Sequence, residues 1–199
     1  MDALSQLDPA AMLDQGMAIG MGLALAATCG IRAFLPLFVL SVLAWTGKVE
    51  LGDAFTWMGT PGAMICFGTA VLAELVGDKI PAVDHALDAA GVVVKPVAAT
   101  LATASMVTEF NPMLAVALGL MTGGVAAEGV HLTKAKARLM STAFTGSIAN
   151  PILSVLEDIA SFIGVIMAVL VPFLVLGGAF GFVLAVWLWR RRRRPQPAV

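Results

Sequence analysis

The chain has 199 residues, of which 59% are hydrophobic and 13% are charged, and its formal net charge is -1. Soluble domains carry about 25% charged residues, so this composition excludes an ordinary soluble protein and indicates an integral membrane protein. The two cysteines, Cys29 and Cys66, both fall in apolar sequence, which argues against a disulfide framework.

The predicted elements begin after an acidic stretch, residues 1–15, in which we expect no cleaved signal peptide because it lacks a basic start and an apolar core. Six hydrophobic segments follow: 16–45, 61–80, 92–107, 112–132, 148–162 and 164–189. The third and fifth are short for a membrane span, which predicts either re-entrant half-helices or tilted spans. The fold class is therefore all-α integral membrane, with a single transmembrane domain over residues 16–189.

An arginine lies well inside the first segment. Arg32 stands between Gly30 and Pro36, and a charge in hydrocarbon is costly unless it is paired. We therefore expect Arg32 to pair with a carboxylate, for which Glu74 and Asp158 are the candidates. The pair would serve either as a fixed structural salt bridge or as a counter-charge or gate for a transported species.

Two acids lie near the end of the second segment. Glu74 and Asp78 are four residues apart, so they share one face of a helix. Carboxylates that lie this close share protons, which suits a proton-coupled site or an oxygen-ligand site for a cation. Alternatively, Asp78 and Lys79 mark the cytoplasmic end of the helix.

The connection to the third segment carries Asp84, His85 and Asp88. An Asp-x-x-x-Asp step can hold a divalent metal in a lipid-modifying enzyme, although the richer motifs of such enzymes are absent here. We favour a short amphipathic surface helix over a metal site at this position.

The later segments add a second group of polar residues. Glu128 and His131 lie one turn apart and are candidates for a proton relay, or alternatively for an interfacial position. The fifth segment presents a polar face that would line a cavity if the segment is re-entrant. The residues of that face are Asn150, Ser154, Glu157 and Asp158, although the Asn150–Pro151 pair alone is explained by helix capping.

The two halves of the chain show a weak internal repeat. The Glu74–Asp78 step matches the Ser154–Asp158 step, and each half, 16–108 and 111–189, would contain three segments. An odd number of segments inverts the second copy, which predicts the 3+3 inverted repeat of many secondary transporters. Chance similarity is the alternative, because Gly, Ala and Leu are so common in this chain.

Basic residues predict the orientation. Arg190–Arg194 follow Trp187 and Trp189, which is typical of an interfacial anchor and not of a nucleic-acid site, and they begin the basic tail 190–199. Because Lys and Arg concentrate on the cytoplasmic side, six crossings place both termini in the cytoplasm of a bacterium, with the domain in its inner membrane.

Three motifs together resemble a known family. They are G-I-R-A-F-L-P, A-E-L-V-G-D-K-I-P and N-P-I-L-S-V-L-E-D, and they resemble an uncharacterised bacterial inner-membrane family, domain-of-unknown-function family 4126, over residues 16–186. That resemblance implies a topology more than a function. The stretch Glu74–Lys79 is also similar to the Glu-x-Gly-Asp-Lys-Thr signature of manganese and calcium/proton exchangers. It has one extra residue before Gly77, and Ile80 replaces the hydroxyl residue, so the cation's identity does not follow.

The sequence therefore predicts a small secondary transporter, proton-coupled, that moves a small ion or solute through an acidic site near the bilayer midplane. We expect no enzymatic activity and no cofactor. The expected partners are the lipid bilayer and the transported species, and a homo-oligomer is compatible with the sequence. The alternatives are a metal-dependent lipid-modifying enzyme that uses Asp84 and Asp88, and a non-catalytic membrane scaffold whose charges only hold helices together.

Overall fold

The structure is a computed structural model that describes residues 9–146 and 150–170. Every regular element in these ranges is helical, so the predicted all-α class is confirmed. The elements are α1 (Pro9–Cys29), α2 (Phe34–Trp45), a 3-10 helix (Asp53–Gly59), α3 (Pro61–Gly77), α4 (Pro81–Ala104), α5 (Pro112–Gly119), a π-helical turn (Leu120–Gly124), α6 (Val125–Thr145) and α7 (Asn150–Leu170).

Several helices are suited to a bilayer. Three continuous helical stretches are long and apolar enough to cross a membrane, namely Val83–Ala104, Pro112–Thr145 and Asn150–Leu170. The bent pair Asp53–Gly59 and Pro61–Gly77 gives a fourth if it counts as one span. Large apolar side chains are exposed along these helices, as at Ile65, Met113 and Ile152, which suits contact with lipid. The chain is thus compatible with a multi-pass membrane protein, although the predicted set of six segments is not confirmed.

The first predicted segment is a helical hairpin and not one span. Gly22 in α1 packs against Met106, and the backbone N–H of Gly52, beyond α2, donates to the carbonyl of Ser105. Gly22 in α1 and Gly52 after α2 thus both lie beside the end of α4, at Ser105 and Met106. The chain must therefore reverse its direction between Cys29 and Phe34. Arg32 therefore lies in a turn between two helices, and the prediction that it sits well inside a span was wrong.

Two residues explain the reversal. A Cβ on Gly30 would lie 2.4 Å from the carbonyl oxygen of Ala127, so only glycine lets this turn pack against the backbone of α6. Pro36 falls in the first turn of α2, where backbone N–H groups have no partner within the helix and the missing N–H of proline is tolerated.

The α2 and α3 helices run antiparallel. Ser41 Oγ donates to the carbonyl of Met58 at 2.5 Å near one end of the pair, and the ring of Phe38 lies beside Gly68 further along. The α3 helix begins at Pro61, after Thr60 has capped it by accepting a hydrogen bond from the N–H of Ala63 at 3.2 Å. It covers most of the predicted second segment, 61–80.

The α4 helix is longer than predicted. It has 24 residues and begins at Pro81, so the third segment, predicted as 92–107, is neither short nor re-entrant. Asp84, His85 and Asp88 lie in its first turns and not in a separate surface helix. The acids are tolerated there because they pair with basic residues of α6.

The fourth and fifth segments also extend beyond their predicted ends. Asn111 caps α5 through its side chain, and helical structure then continues from Pro112 to Thr145, past the predicted end at 132. The α7 helix runs through Gly164 without a break, so the predicted boundary between segments 148–162 and 164–189 was wrong. Residues 171–189 of the sixth segment, the tail 190–199 and residues 1–8 lie outside the described residues.

The inverted repeat stays a prediction. Glu74 lies near the C-terminal end of α3 and Asp78 directly follows it, whereas Ser154 and Asp158 lie in the first half of α7. The two acidic steps thus occupy different parts of their helices. They still come together, because the end of α3 and the beginning of α7 lie at the same end of the bundle, around Arg32.

Candidate functional site

A cluster of charged side chains lies at one end of the helical bundle, where the α1–α2 turn, the end of α3 and the helices α4, α6 and α7 meet. We call it the charged cluster. Its basic members are Arg32, Lys79, Lys95, Lys134 and Arg138, and its acidic members are Glu74, Asp78, Asp84, Asp88, Glu128, Glu157 and Asp158.

Arg32 is the link between α3 and α7. Its side chain is 1% exposed and forms ion pairs with Asp78, at 2.6 Å, and with Asp158. The Asp78 contact is an ion pair without the alignment of a hydrogen bond. Of the two expected partners, Asp158 contacts the guanidinium directly, whereas Glu74 contacts it through its backbone carbonyl, at 3.1 Å.

The Glu74 carboxylate has a different role from the one expected. It is buried and accepts hydrogen bonds from the backbone N–H groups of Ala33, at 3.0 Å, and Phe34, at 3.3 Å. These are free donors at the beginning of α2, so Glu74 caps that helix and meets the positive end of its dipole. Sequence reasoning missed this contact because it treated residues 16–45 as one helix.

Arg138 joins more acids than any other basic residue described. Its NH1 group pairs with Asp84 and with Asp88, the latter at 3.3 Å. Its NH2 group lies 2.8 Å from Glu157 and 3.7 Å from Asp78. One guanidinium thus ties together the end of α3, the beginning of α4, and α7.

Lys134 extends the same arrangement one turn along α6. Its Nζ lies 3.0 Å from Glu157 and 3.8 Å from Asp88. Lys134 and Arg138 were not among the site residues predicted from the sequence. A signal for them was present in the sequence. Lys134 and Arg138 are four residues apart on one helix, as are Asp84 and Asp88 on another, and the two pairs have opposite charges.

The cluster opens to solvent beside Lys79. This side chain is 43% exposed, and its Nζ donates to Ser154 Oγ and to Asp158, both at 2.8 Å. Asn150 does not join this group, since its side chain donates to Thr142 on α6 at 3.2 Å. His85 is exposed on α4.

A second layer of the cluster lies deeper. Lys95 follows Asp84 by 11 residues, which is about 16 Å along α4. Its Nζ is 2.9 Å from Nδ1 of His131, and each of these residues is 3% exposed. Glu128 lies one turn before His131, and its Oε2 is buried without a hydrogen-bond partner. Lys95 was missed as a site residue, although it continues the face of Asp84 and Asp88.

The described ranges contain no group of three or more His, Cys, Asp or Glu side chains that could hold a metal ion. Asp84 and Asp88 each face the Arg138 guanidinium, and Asp88 also faces the Lys134 ammonium. A divalent cation at Asp84 and Asp88 would have to displace these basic groups first. This arrangement does not favour the metal-dependent enzyme.

A groove of about 580 Å³ runs between α6 and α7 beside the cluster. Its walls are mostly apolar, as at Val130 and Leu156, but Lys134 and Glu157 line it as well. The ion pair between these two residues is therefore reachable from the side of the bundle as well as from the end near Lys79.

Comparison with known proteins adds one finding. The sequence model of a family described as "Domain of unknown function (DUF4126)" matches residues 19–192, which confirms the family resemblance seen in the three motifs. The similarity to the cation/proton exchangers is not confirmed. No curated protein and no solved structure matches the chain.

Proposed function

The chain belongs to the DUF4126 family, and we propose that it is a small secondary transporter that couples protons to the movement of a small cation through the charged cluster. The observation that carries this proposal is the imbalance of charge in the cluster. Seven carboxylates face five basic side chains, so acids exceed bases by two when every group is ionised and His131 is neutral.

A buried excess of negative charge has to be neutralised. Removing an unpaired carboxylate from water costs several kcal/mol, which a protein avoids by protonating it or by binding a cation. The beginning of α2 supplies about half a positive charge to Glu74. No other lysine or arginine of the described residues joins the cluster, so we infer that protons or a bound cation supply the remaining positive charge. Exchange of these two species is the chemistry of a proton-coupled cation transporter.

The shape of the first two helices supports the same proposal. The α2 helix has 12 residues and is about 18 Å long, so it does not cross a hydrocarbon layer of about 30 Å on its own. Its first turn points backbone N–H groups at a buried carboxylate. In transporters the positive N-terminus of such a half-helix binds an anionic group, and here the Glu74 carboxylate supplies that group from within the chain.

We place the cluster between the midplane and one face of the bilayer. Trp45 and Trp57 are exposed near the opposite end of the bundle, as interfacial aromatic residues are. Glu74 lies 13 residues after Pro61, about 20 Å from the tryptophan level, and is therefore past the midplane. Lys95 is nine residues, about 14 Å, before the end of α4 and lies nearer the middle.

The direction of the helices supports an inverted repeat. The chain direction alternates through α1, α2 and α3, and then through α4, the Pro112–Thr145 rod and α7. We infer a division after α3, which differs from the predicted halves 16–108 and 111–189 and gives two groups of three described elements that begin at opposite ends of the bundle. We infer that the repeat resides in this alternation and not in the positions of the acids.

We infer that the cluster end faces the cytoplasm of a bacterial cell whose inner membrane holds the protein. That end carries most of the basic residues of the bundle, whereas the opposite loops hold Lys48 among Glu50, Asp53 and Glu109. The α1 helix begins at the end opposite the cluster. Its start therefore lies outside, which differs from the sequence expectation that both termini are cytoplasmic.

This orientation is testable with single cysteines in a chain whose Cys29 and Cys66 are replaced by alanine. We expect Asp14→Cys and Glu50→Cys to react with a membrane-impermeant maleimide applied to intact cells. Lys136→Cys, which is exposed on α6, should react only after the membrane is permeabilised. If Asp14→Cys is protected and Lys136→Cys reacts from outside, the orientation is the reverse.

The transport proposal is tested with purified protein in liposomes that contain a pH dye, using a panel of alkali and alkaline-earth cations. We expect a pH gradient to drive flux of at least one cation. Asp158→Asn and Glu128→Gln should each reduce this cation flux at least about tenfold. Each substitution removes one of the negative charges that the protons and the cation are proposed to neutralise. Glu109→Gln, an exposed acid at the other end, is the matched control and should keep the flux.

Folding has to be checked in the same variants. Glu128→Gln breaks no ion pair of the described residues, so its melting temperature should match that of the parent. Absence of flux for every cation in the well-folded parent would contradict the proposal and favour a scaffold. Full activity in both acid variants would also contradict it.

A further inference from the structure

Lys95 differs from the other four basic residues of the charged cluster. Each of those has a carboxylate within 4.0 Å, whereas Lys95 forms no ion pair with any acid in the described ranges. Its only described polar contact is His131, and both residues are almost fully buried. A buried ammonium without an anion beside it is unfavourable, so this position needs an explanation beyond helix packing.

We propose that Lys95 is an internal counter-ion which alternates with the transported cation. When no cation is bound, the protonated Lys95 supplies positive charge to the acid-rich cluster. When a monovalent metal cation enters, Lys95 gives up its proton through His131. This inference rests on the proposed function and specifies its stoichiometry, one proton for one monovalent cation.

The contact between the two side chains supports this. Lys95 Nζ and His131 Nδ1 are 2.9 Å apart, so a single proton lies between them. Two positive charges at this distance in a buried site repel each other strongly, so the pair holds one charge and not two. The charged groups that act on the pair come from α3, α4, α6 and α7, and they are Glu74, Asp88, Glu128, Lys134 and Glu157.

The proton step is balanced as follows. An N–H bond of the Lys95 ammonium breaks and its proton binds Nδ1 of His131, while the Nε2 proton of the imidazole leaves to bulk water. The amine and the imidazole are both neutral afterwards. The cluster has lost one positive charge, which one monovalent cation restores, so the exchange is electroneutral.

The other basic residues are poor candidates for this step. Arg32 and Arg138 keep their protons under all physiological conditions. Lys79 and Lys134 are each held by carboxylates, which stabilise the charged form of the ammonium. Lys95, next to a neutral base and away from any carboxylate, is the basic side chain in the described cluster with a proton to release.

The first test compares two lysine-to-arginine variants of the full chain in liposomes, with sodium, potassium and lithium as probes. Lys95→Arg keeps the charge but not the exchangeable proton, so exchange driven by a pH gradient should fall at least about tenfold. Lys136→Arg, at an exposed position on α6 outside the charged cluster, is the matched control and should stay within about twofold of the parent. Exchange by Lys95→Arg at the parent's rate would overturn the inference.

A second test measures proton release instead of transport, and it avoids the larger side chain that Lys95→Arg introduces. Binding of the active cation to detergent-solubilised protein in weak buffer should release about one proton in the parent. Lys95→Met should still bind the cation and release none, and His131→Gln should slow the release. Unchanged proton release in Lys95→Met would overturn the inference. A parent that moves only alkaline-earth cations would overturn this inference and leave the proposed function standing, whereas a parent that moves no cation would overturn both.

Discussion

Replacing Arg138 by alanine should destabilise the protein by about 3–5 kcal/mol, because it leaves several buried acids without their common partner. Arg138 is 7% exposed in its side chain and forms ion pairs with Asp84, Asp88, Glu157 and Asp78. These acids belong to three helices, so their mutual repulsion would separate the end of α3, the beginning of α4, and α7. The loss should appear as a lower midpoint of chemical unfolding in detergent.

Two further variants separate charge from geometry. Arg138→Lys should recover only part of the stability, because an ammonium cannot form the planar, two-pronged contact that the guanidinium makes with Glu157. Lys136→Ala removes an exposed basic residue from the same helix and should change the stability by less than about 0.5 kcal/mol. An Arg138→Ala protein as stable as the Lys136→Ala protein would show that the network contributes nothing.

Arg32→Ala should cost a similar amount, about 3–5 kcal/mol, since it removes the buried partner of both Asp78 and Asp158. Asp78 would keep only its 3.7 Å contact with Arg138, and Asp158 only its contact with the partly exposed Lys79. Neutralising both acids in the same chain, as Asp78→Asn and Asp158→Asn, should restore part of the loss. The double-mutant cycles built from these changes give the coupling energy between the arginine and each acid.

The comparison that isolates the effect is Lys48→Ala, because Lys48 is an exposed basic residue at the opposite end of the bundle. Its removal should leave the unfolding midpoint unchanged. If the added Asn substitutions destabilise Arg32→Ala further, the contacts of the two acids with Lys79 and Arg138 outweigh those with Arg32, and the central role given to this guanidinium is wrong.

The sequence predicted the elements whose signals are local. Thr60 and Pro61 begin α3, and Asn111 and Pro112 begin α5, because a capping side chain followed by proline determines a helix start within a few residues. The pairing of Arg32 with Asp158 also followed from local reasoning, whereas the predicted pairing with the Glu74 carboxylate was wrong and the contact with Asp78 was missed. A buried arginine needs a carboxylate, and few acids of the chain lie in apolar sequence.

The sequence could not predict features that depend on packing between helices. Gly30 and Pro36 lie in a stretch that was predicted as one segment, 16–45, yet the chain reverses there because the turn fits against the backbone of Ala127. Asp84 and Asp88 suggested a surface helix because their partners, Lys134 and Arg138, lie about 50 residues away in the chain. Lys95 and His131 gave no signal as a pair, since neither residue type predicts the other.

The α1–α2 hairpin has a consequence for the order in which the protein is made. Arg32 is synthesised 126 residues before Asp158, one of the two acids that neutralise it in the finished bundle. Until α3 and α7 have left the ribosome, Arg32 at the hairpin tip carries an unpaired positive charge. The α2 helix is about 18 Å long, which is too short to span the hydrocarbon layer. In the proposed membrane arrangement, we therefore expect the hairpin tip to stay in contact with water or the insertion machinery during synthesis. We expect it to settle into the bundle only when the last described helix completes its ion pairs, so chains that stop before α7 should be recognised as unfinished.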